Sequence, residues 1–300
     1  MKLGNTVFCL LLLGGLSTSC IREDLSDCFS TNTLLLSYKG DGETEIFGDK
    51  ICRVEMYVFD AENRCVANGV LPPNEVEARA AKLPQLKPGD YRIVCLGNTH
   101  HTQVGNVASC DFSRITFADG GYFAGETVSG NDSLYYATTP FTVEPFTGRE
   151  DDNKTRLASS HYDVSVEVAG IPDAGMNAAA ASMPTLEICG VSPCTDFENR
   201  ACGEATDYLL ETEYDGGSNL LTARTNIMRH TDHSQVGVCL RSPDGRTLLA
   251  EVNLAEFLAE NPVIDCSRNE VLIPIRMEFV SGKVVVTVPE WYIEDVKPEF

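Results

Sequence analysis

The stretch Val271-Leu272-Ile273-Pro274-Ile275-Arg276-Met277-Glu278-Phe279 decides the fold, because its side chains alternate between two faces. The odd-numbered positions are all apolar, whereas Arg276 and Glu278 lie on the opposite face, which is typical of a half-buried β-strand. Ser281-Gly282 then turns the chain into Lys283–Val288, so the sequence predicts a terminal β-hairpin. Pro274 has no N–H to donate to a ladder, which places its strand at a sheet edge or a bulge.

The same period-two pattern recurs along the chain. In Ile51–Asp60, the residues Cys52, Val54, Met56 and Val58 share one face, and 164–168 alternates valine with polar residues. Further strands are predicted at Thr33–Lys39, Asp90–Gly97, Ser133–Ala137, Thr185–Gly190, Tyr208–Tyr214, Leu220–Met228 and Val236–Arg241. Turn sequences such as Lys87-Pro88-Gly89-Asp90 separate these strands.

Few stretches of the sequence have a helical pattern, and this scarcity helps to define the fold class. Leu254–Glu260, closed by Asn261-Pro262, predicts one short helix, and Glu75–Lys82 predicts a second. Many short strands with few helices indicate an all-β protein built from two tandem antiparallel β-sandwiches. No internal repeat is obvious at the residue level.

The domain boundaries follow from composition. We expect an N-terminal sandwich over residues 32–148, a polar and charged linker over 149–156, and a C-terminal sandwich over 157–300. The stretch Gly170–Ser182 is rich in alanine and glycine, and we interpret it as a loop within the second sandwich.

The first 19 residues have the organisation of an export signal. Lys2 supplies a positive charge, Val7–Leu16 an apolar core, and Ser17-Thr18-Ser19 small residues ahead of Cys20. The apolar run is about ten residues, against the roughly 20 that a membrane-spanning helix needs. We therefore predict a lipoprotein signal peptide over residues 1–19 with lipidation at Cys20. Ser17 stands where a strict lipobox has leucine, so ordinary signal peptidase cleavage near Ser19 remains an alternative.

The charge of the chain is strongly negative. The formal net charge is −21, and the signal contains one lysine and no acidic residue, so the mature chain is one unit more negative. Such a surface repels nucleic acid and anionic headgroups, which argues against nucleic-acid partners. We interpret the acidity as favouring solubility rather than as a docking surface for a basic partner.

The chain has 12 cysteines, of which Cys9 leaves with the signal and Cys20 is the predicted lipid site. Because the protein is predicted to be exported, its ten further cysteines are candidates for disulfide bonds. Five lie in each half, so either one disulfide crosses between the halves or at least one thiol in each half is free, and we predict partial pairing only. The spacings of Cys189, Cys194 and Cys202 fit no zinc site with a matching second pair.

Several motifs, in order, resemble a known family. The segment Cys20-Ile21-Arg22-Glu23-Asp24-Leu25-Ser26-Asp27-Cys28 resembles the mature start of the FimB-like fimbrium anchoring subunits, which are lipoproteins of Bacteroidetes. Four later stretches resemble further motifs of this family: Met56–Asp60, Leu86–Tyr91, Asp132–Tyr136 and Gly282–Trp291. Phe29, which follows Cys28, departs from the family pattern, where proline is common.

The resemblance implies both a fold and a function. It implies two transthyretin-like sandwiches, with residues 20–31 as a lipidated acidic tether in the outer membrane. Arg22, Glu23 and Asp24 resemble the export signal that sends such lipoproteins to the cell surface. The implied partners are a fimbrial shaft subunit (fimbrillin), accessory fimbrial subunits, and the membrane through the lipid on Cys20. The implied mechanism is β-strand addition at an exposed sheet edge, which anchors the base of a fimbrium.

Other functions have weaker support in the sequence. No Gly-x-Ser-x-Gly elbow, Walker loop or His-Glu-x-x-His motif occurs, so we predict no enzyme and no cofactor. We interpret His100-His101 and His230-Thr231-Asp232-His233 as polar loops rather than metal sites, and the acids at 150–152 as a solvated linker.

The main alternative is a surface glycan-binding lipoprotein. Its binding platform would use the aromatic residues Tyr122, Phe123, Tyr135, Tyr136 and Trp291. Aromatic residues in strands are more often core or cross-strand pairs. Burial of their side chains would remove this site. A third possibility, an adhesive tip subunit, is disfavoured by the predicted permanent acyl chain on Cys20.

Overall fold

Alternating apolar and polar residues produce a chain made mainly of short strands. The computed structural model of the protein describes residues 33–144, 153–172 and 183–295. The first half contains strands β1 (Thr33–Ser37), β2 (Val54–Asp60), β3 (Cys65–Val70), β4 (Ala80–Lys82), β5 (Gly89–Gly97), β6 (Thr102–Gly105), β7 (Thr116–Asp119), β8 (Tyr135–Val143), β9 (Asn153–Arg156) and β10 (Ala158–Ser159), with helices α1 (Phe47–Lys50), α2 (Pro73–Ala78) and α3 (Gly120–Ala124).

Two sheets pack face to face in this half. One has the order β10-β8-β5-β2-β3 and the other β4-β1-β9. Their facing side chains form one apolar core that includes Leu34, Leu36, Val58 and Ile93. The sandwich therefore buries one face of each sheet, as the alternation predicts.

The second half repeats this construction. Its elements are β11 (His161–Ala169), β12 (Thr185–Val191), β13 (Cys194–Asp196), β14 (Ala201–Cys202), β15 (Thr206–Leu209), β16 (Thr212–Asp215), β17 (Leu220–Met228), β18 (Gly237–Arg241), β19 (Leu248–Asn253), β20 (Leu272–Val280) and β21 (Lys283–Thr287), with helices α4 (Leu254–Glu260) and α5 (Glu290–Asp295). The sheets have the orders β16-β17-β11-β20-β21 and β15-β12-β18-β19. A second core lies between them and includes Val166, Leu186, Tyr208 and Ile275.

The two halves share one topology. The first strand of each half, β1 or β11, is the centre of a sheet. It pairs in parallel with the half's late strand, β9 or β20, and antiparallel with β4 or β17 on its other side. The opposing sheets, β8-β5-β2-β3 and β19-β18-β12-β15, also correspond strand for strand. The expectation of two tandem transthyretin-like sandwiches is confirmed.

The terminal hairpin forms as the sequence predicts. Ser281 and Gly282 both have positive φ, the conformation that a two-residue hairpin turn requires. β21 pairs with Arg276–Val280 only, so Pro274 lies where β20 has an open edge. α4 begins after Asn253, whose side chain accepts a hydrogen bond from the Glu256 N–H, and its bounds match the prediction.

Two predicted elements differ from the structure. The helix predicted at Glu75–Lys82 ends at Ala78 because Arg79 adopts a left-handed conformation, and 80–82 then pairs with β1 as β4. The strand predicted at Tyr208–Tyr214 is two strands that belong to different sheets, since β15 pairs with β12 and β16 pairs with β17.

The predicted linker, residues 149–156, is partly a strand. Its second half is β9, which pairs with β1, and Leu157 lies in the core of the first sandwich. Thr155 is buried between Lys154 and Arg156, and such charges give the stretch the composition of a solvated linker. β10 also belongs to the first sandwich, so the change of sandwich falls between Ser159 and His161.

A third sheet joins the two halves. Its order is β14-β13-β7-β6, and β13 of the second half pairs antiparallel with β7 of the first through Thr195 opposite Phe117. This sheet lies over the outer face of the first sandwich and forms a third core with Tyr57 and Phe59. β2 is therefore buried on both faces, whereas its sequence predicts one buried face.

The tip of the β13–β14 hairpin fills this third core. Phe197 is 1 % exposed, and its ring lies 5.2 Å from that of Tyr57 and 6.2 Å from that of Phe117, centre to centre. Its backbone N–H donates to the Ile115 carbonyl at 2.9 Å, and its carbonyl accepts from the Tyr136 hydroxyl at 2.6 Å. One side chain of the second half is thus a core residue of the first.

The hairpin tips also contain a short repeat that sequence analysis missed. Asp60-Ala61-Glu62-Asn63-Arg64 joins β2 to β3, and Asp196-Phe197-Glu198-Asn199-Arg200 joins β13 to β14. In both turns the aspartate accepts from the backbone N–H groups two and four residues later, and its second oxygen pairs with the arginine. The asparagine has positive φ in both turns. Thus the same local hydrogen bonds form at both tips.

A second junction, which we call the carboxylate clamp, consists of Tyr38, Asp41, Lys50, Asn269 and Glu270. The two oxygens of Asp41 accept the backbone N–H groups of Asn269 at 2.7 Å and Glu270 at 3.1 Å. Glu270 in turn accepts from the Tyr38 hydroxyl and from the Lys50 ammonium, the latter at 2.6 Å. The clamp therefore fastens the chain just after β1 to the chain just before β20.

The two carboxylates of the clamp have lowered pKa values. Burial alone raises the pKa of Asp41, but its backbone donors and the charge of Arg268 outweigh burial and lower the pKa. The pKa of Glu270 is also lowered, because donors from Lys50 and Tyr38 outweigh burial. Both carboxylates are thus held ionised.

Phe197→Ala should destabilise the protein by about 3–5 kcal/mol, since it leaves a cavity in the third core and unseats the hairpin tip. Equilibrium unfolding in denaturant measures the loss. Phe123→Ala is the control, because Phe123 is 42 % exposed and its truncation should cost less than about 1 kcal/mol. Equal losses for the two variants would contradict the assignment of Phe197 to a core that joins the halves.

Asp41→Asn should cost about 1 kcal/mol at pH 7, a value discounted for the partial exposure of the clamp. Because the folded-state pKa is lowered, the clamp stabilises fully above the ordinary carboxyl pKa of about 4, and the effect is lost as the pH falls through the lower folded-state value. The stability difference between wild type and variant should therefore shrink on acidification, as measured by denaturant unfolding from pH 7 to pH 3. Glu213→Gln, at an exposed carboxylate, is the control; a difference that does not depend on pH would contradict the role of the ionised form.

Candidate functional site

The residues predicted from the N-terminal motif lie outside the described part of the chain. These are Cys20 as the lipid site and Arg22, Glu23 and Asp24 as the export signal. The first described strand, β1, follows them closely in sequence. Leu34 and Leu36 in β1 are buried, and the strand has hydrogen-bonded neighbours on both sides. A load applied through the N-terminal segment would therefore enter the molecule at a central strand.

That strand connects directly to the second sandwich. The carboxylate clamp begins one residue after β1, at Tyr38, and ends at Glu270, two residues before β20. β20 is the partner of β21, the last strand of the sheet. A continuous path of short connections thus links the start of the described chain to one outer edge of the second sandwich.

The outer edge of β21 has the features of a strand-binding site. β21 is Lys283-Val284-Val285-Val286-Thr287, a run of β-branched residues with one charge at its end. Val280 and Lys283 flank the two-residue turn, so the N–H groups of Val284 and Val286 point away from β20. Val280 and Val285 are 47 % and 46 % exposed. This edge therefore offers backbone donors beside exposed apolar side chains.

The edge strands β3 and β19 also expose apolar residues but are less suited to strand pairing. β3 exposes Val66 and Val70 at 49 % and 47 %, yet it contains Asn68-Gly69, a poor strand-forming pair, and its register with β2 shifts near Phe59. β19 exposes Leu248 and Leu249 but carries the charged Glu251 in its middle. A charge on an edge strand discourages pairing. Among these three edges, β21 is the most favourable.

The aromatic platform of the glycan-binding alternative does not form. Tyr135 and Tyr136 are 3 % and 6 % exposed and belong to different apolar cores. Tyr122 packs against the core of the second sandwich, while Phe123 and Trp291 are exposed. The indole N–H of Trp291 donates to Glu167 at 2.8 Å. The five rings therefore do not share a surface.

The two histidine groups have different surroundings, and His100 and His101 are exposed. His230 is buried, which corrects its interpretation as part of a polar loop, and burial lowers its pKa so that it is a neutral core side chain. Its ring lies 4.7 Å from that of His233, and both rings pack on Tyr162. Within 33–144, 153–172 and 183–295, no three histidine, cysteine or acidic side chains are grouped as metal ligands. The acids at 150–152 lie outside these ranges.

The residues that sequence analysis missed are those that join the halves. Asp41 and Glu270 are ordinary acids in a highly acidic chain, so nothing local marks them. Phe197 carried a signal, the repeated Asp-x-Glu-Asn-Arg turn, because an apolar residue occupies a position that is alanine in the other copy. No helix in the described part of the chain is long and apolar enough to cross a membrane.

Solved structures of several bacterial proteins share this fold. A candidate adhesin from Bacteroides ovatus aligns with a TM-score of 0.68 at 15% identity, covering 88% of this chain and 95% of that one. The fimbrial anchor protein Mfa2 from Porphyromonas gingivalis aligns at 0.64 with 16% identity, covering 87% and 96%. A candidate polysaccharide-binding protein from Bacteroides thetaiotaomicron aligns at 0.65 with 12% identity, covering 86% and 95%. At these identities the likeness establishes the fold alone.

A family model gives the stronger assignment. Residues 25–297 match the model of the fimbrillin-A associated anchor proteins Mfa1 and Mfa2, and this range includes both sandwiches and the third sheet that joins them. Comparison with curated proteins gave no match. The match to the family model covers nearly the whole sequence, and the resemblance in the N-terminal segment and the later motifs is in agreement with it. The chain therefore belongs to the family of fimbrillin-A associated anchor proteins.

Proposed function

We propose that this protein is an outer-membrane lipoprotein that anchors the base of a fimbrium, held by acyl chains on Cys20 and bound to the first shaft subunit by β-strand addition. Family membership supports an anchor-type role. The observation that carries the proposal is the position of β1. The tether leads into a strand paired on both sides and fastened to the second sandwich, rather than into a terminal strand that could peel away.

The lipid supplies the membrane end of the anchor. Each buried methylene contributes about 0.8 kcal/mol, so several acyl chains on one cysteine hold far more firmly than one myristoyl group. Arg22, Glu23 and Asp24 beside that cysteine would direct the protein to the outer face of the membrane. The sandwiches would then face the cell exterior, where a shaft subunit is accessible.

The β21 edge supplies the fimbrial end. An extended segment of the shaft subunit would pair with the outward N–H and C=O groups of this strand, and the exposed Val285 would contact a side chain of the added strand, with Val280 at the end of β20 beside the turn. This edge lies on the second sandwich, whereas the tether enters the first. Load from the shaft would therefore pass from the second half to the first, most directly through the carboxylate clamp, before reaching the lipid.

Cys20→Ala should leave a folded protein and release fimbriae into the medium, because the acyl attachment is lost while the strand-binding edge remains. The measurement is the partition of fimbriae between washed cells and culture supernatant. External protease added to whole cells tests the surface exposure of the wild-type protein in the same experiment.

Cys110→Ala is the matched control, since it removes an exposed cysteine from the body of the first half. It should leave fimbriae attached to the cells. If fimbriae of the Cys20→Ala strain stay fully cell-bound, the anchor proposal is wrong.

Val280→Lys combined with Val285→Lys should reduce co-purification of the shaft subunit at least about tenfold, because a charge on the edge strand at 285, with a second at 280 beside its turn, opposes the addition of another strand. The full-length protein is purified from detergent-solubilised envelopes, and the bound subunit is quantified by mass spectrometry. Both valines are exposed, so the melting temperature should stay close to that of wild type.

Val66→Lys combined with Val70→Lys makes the same change on β3, where the two valines are equally exposed. This control should bind the shaft subunit normally. Loss of binding in the β3 variant with retention in the β21 variant would reject β21 as the docking edge.

A further inference from the structure

Four of the nine described cysteines lie in two close pairs. The sulfurs of Cys194 and Cys202 are 2.9 Å apart, and so are those of Cys189 and Cys239. All four belong to the second half of the chain. Each pair joins neighbouring antiparallel strands, β13 with β14 and β12 with β18.

The backbone at the first pair suits a covalent bridge. Cys194 and Cys202 are directly opposite in the β13–β14 ladder. Residues opposite each other in an antiparallel pair have Cα atoms about 4.5–5.5 Å apart, within the range of about 4.4–6.8 Å that disulfides require. A bond therefore needs no movement of the strands.

The residue after this pair leaves space for the sulfurs. Gly203 follows Cys202 with a φ of +89°, and a Cβ at this position would lie 2.8 Å from the Sγ of Cys194. A residue with a side chain would thus collide with the sulfur and strain the backbone. The glycine permits the close approach of the two cysteines.

The second pair joins two central strands of the second sandwich. Cys239 is buried and Cys189 is partly exposed. Cys189 lies opposite Gly237 and Cys239 opposite Glu187, so the two cysteines are diagonal neighbours on one face of the sheet. The two sulfurs are in contact, but diagonal Cα atoms lie about 7–8 Å apart, so this bond requires the two strands to approach slightly.

We propose that the exported protein carries two disulfides, Cys194–Cys202 and Cys189–Cys239. The first closes the base of the hairpin whose tip places Phe197 in the core of the first half, so it fixes the junction between the sandwiches. The second ties β12 to β18. This inference rests on the export step of the proposed function, because such bonds persist in oxidising compartments.

The chemistry requires a dithiol–disulfide exchange partner. A disulfide of an oxidising protein outside the cytoplasm forms a mixed disulfide with the more accessible thiol, Cys202 or Cys189, and one of its own sulfurs leaves as a thiolate. The thiolate of the buried cysteine, Cys194 or Cys239, then attacks the mixed disulfide. The oxidant is released as a dithiol that holds the two protons.

Peptide mapping of the full-length protein, purified from detergent-solubilised envelopes, tests both bonds. Free thiols are blocked by N-ethylmaleimide under denaturing conditions before digestion without reductant. Peptides linked through Cys194–Cys202 and through Cys189–Cys239 are expected, whereas Cys95 and Cys110 should carry the label. The intact mass before blocking should be lower than that of the reduced protein by about 2 Da for each bond.

Oxidation of the reduced protein in a glutathione redox buffer tests the cysteine pairing separately from the premise that the protein is exported. Formation of both bonds in the buffer and in the cell supports the proposal. Formation in the buffer alone overturns it at the export step. Labelling of a cysteine pair in both samples, or its linkage to other cysteines, overturns the structural assignment of that pair.

Cys202→Ser measures the consequence of the first bond. Reduction of the wild type and the substitution should each lower the melting temperature on the order of 5 °C, and adding Cys194→Ser should lower it little further because the bond is already absent. Cys110→Ser is the control and should melt like the wild type. Additive losses from the two single changes would contradict a shared bond.

Discussion

The antiparallel ladder between β7 and β13, with Phe197 buried beyond its end, is the contact on which the rest of the molecule depends. Each sandwich has its own core and could satisfy its own backbone hydrogen bonds. What neither sandwich supplies alone is a cover for the outer face of β2 and β5, where Tyr57, Phe59 and Leu96 would otherwise meet water. The third sheet provides that cover, and half of its strands come from the other half of the chain. Burying this apolar face therefore requires the two sandwiches to assemble as one body.

The repeated turn shows how a small difference in sequence produces this junction. Asp60 and Asp196 organise their turns through the same hydrogen bonds, so the local structure is set by aspartate, asparagine and arginine in both. The residue after the aspartate determines whether the tip of the turn is exposed or buried. Ala61 is exposed, whereas Phe197 is buried among the rings of the opposite half. The turn itself is a local property of the sequence, but its docking is a property of the core that receives it.

The sequence predicts those elements whose alternation of apolar and polar residues matches one buried and one exposed face. β17, β20 and α4 have one buried and one open side, and their periodicity locates them to within a residue or two. The sequence predicts one buried face for β2 and a linker in place of β9, and both predictions are wrong. Residues distant in sequence cover the second face of β2, whereas the charged neighbours of Thr155 mask the burial of β9. The candidate site divides in the same way. The tether was predicted from the motif around Cys20, whereas the β21 edge and the carboxylate clamp depend on which strands lack or gain a neighbour, and that is decided only by the assembled fold.

The position of β1 constrains how an anchor of this kind can bear tension. A strand between two partners loses hydrogen bonds on both sides when it is pulled out, and β1 also carries Leu34 and Leu36 into the core. Tension along β1 would load these ladders together rather than one bond at a time. The next residues join the clamp, so tension passes to β20 before the first sandwich has to open. β20 in turn lies between β11 and β21, which places the proposed docking edge one strand away from the end of the clamp. The shortest route between the tether and that edge therefore runs through paired strands and charged hydrogen bonds.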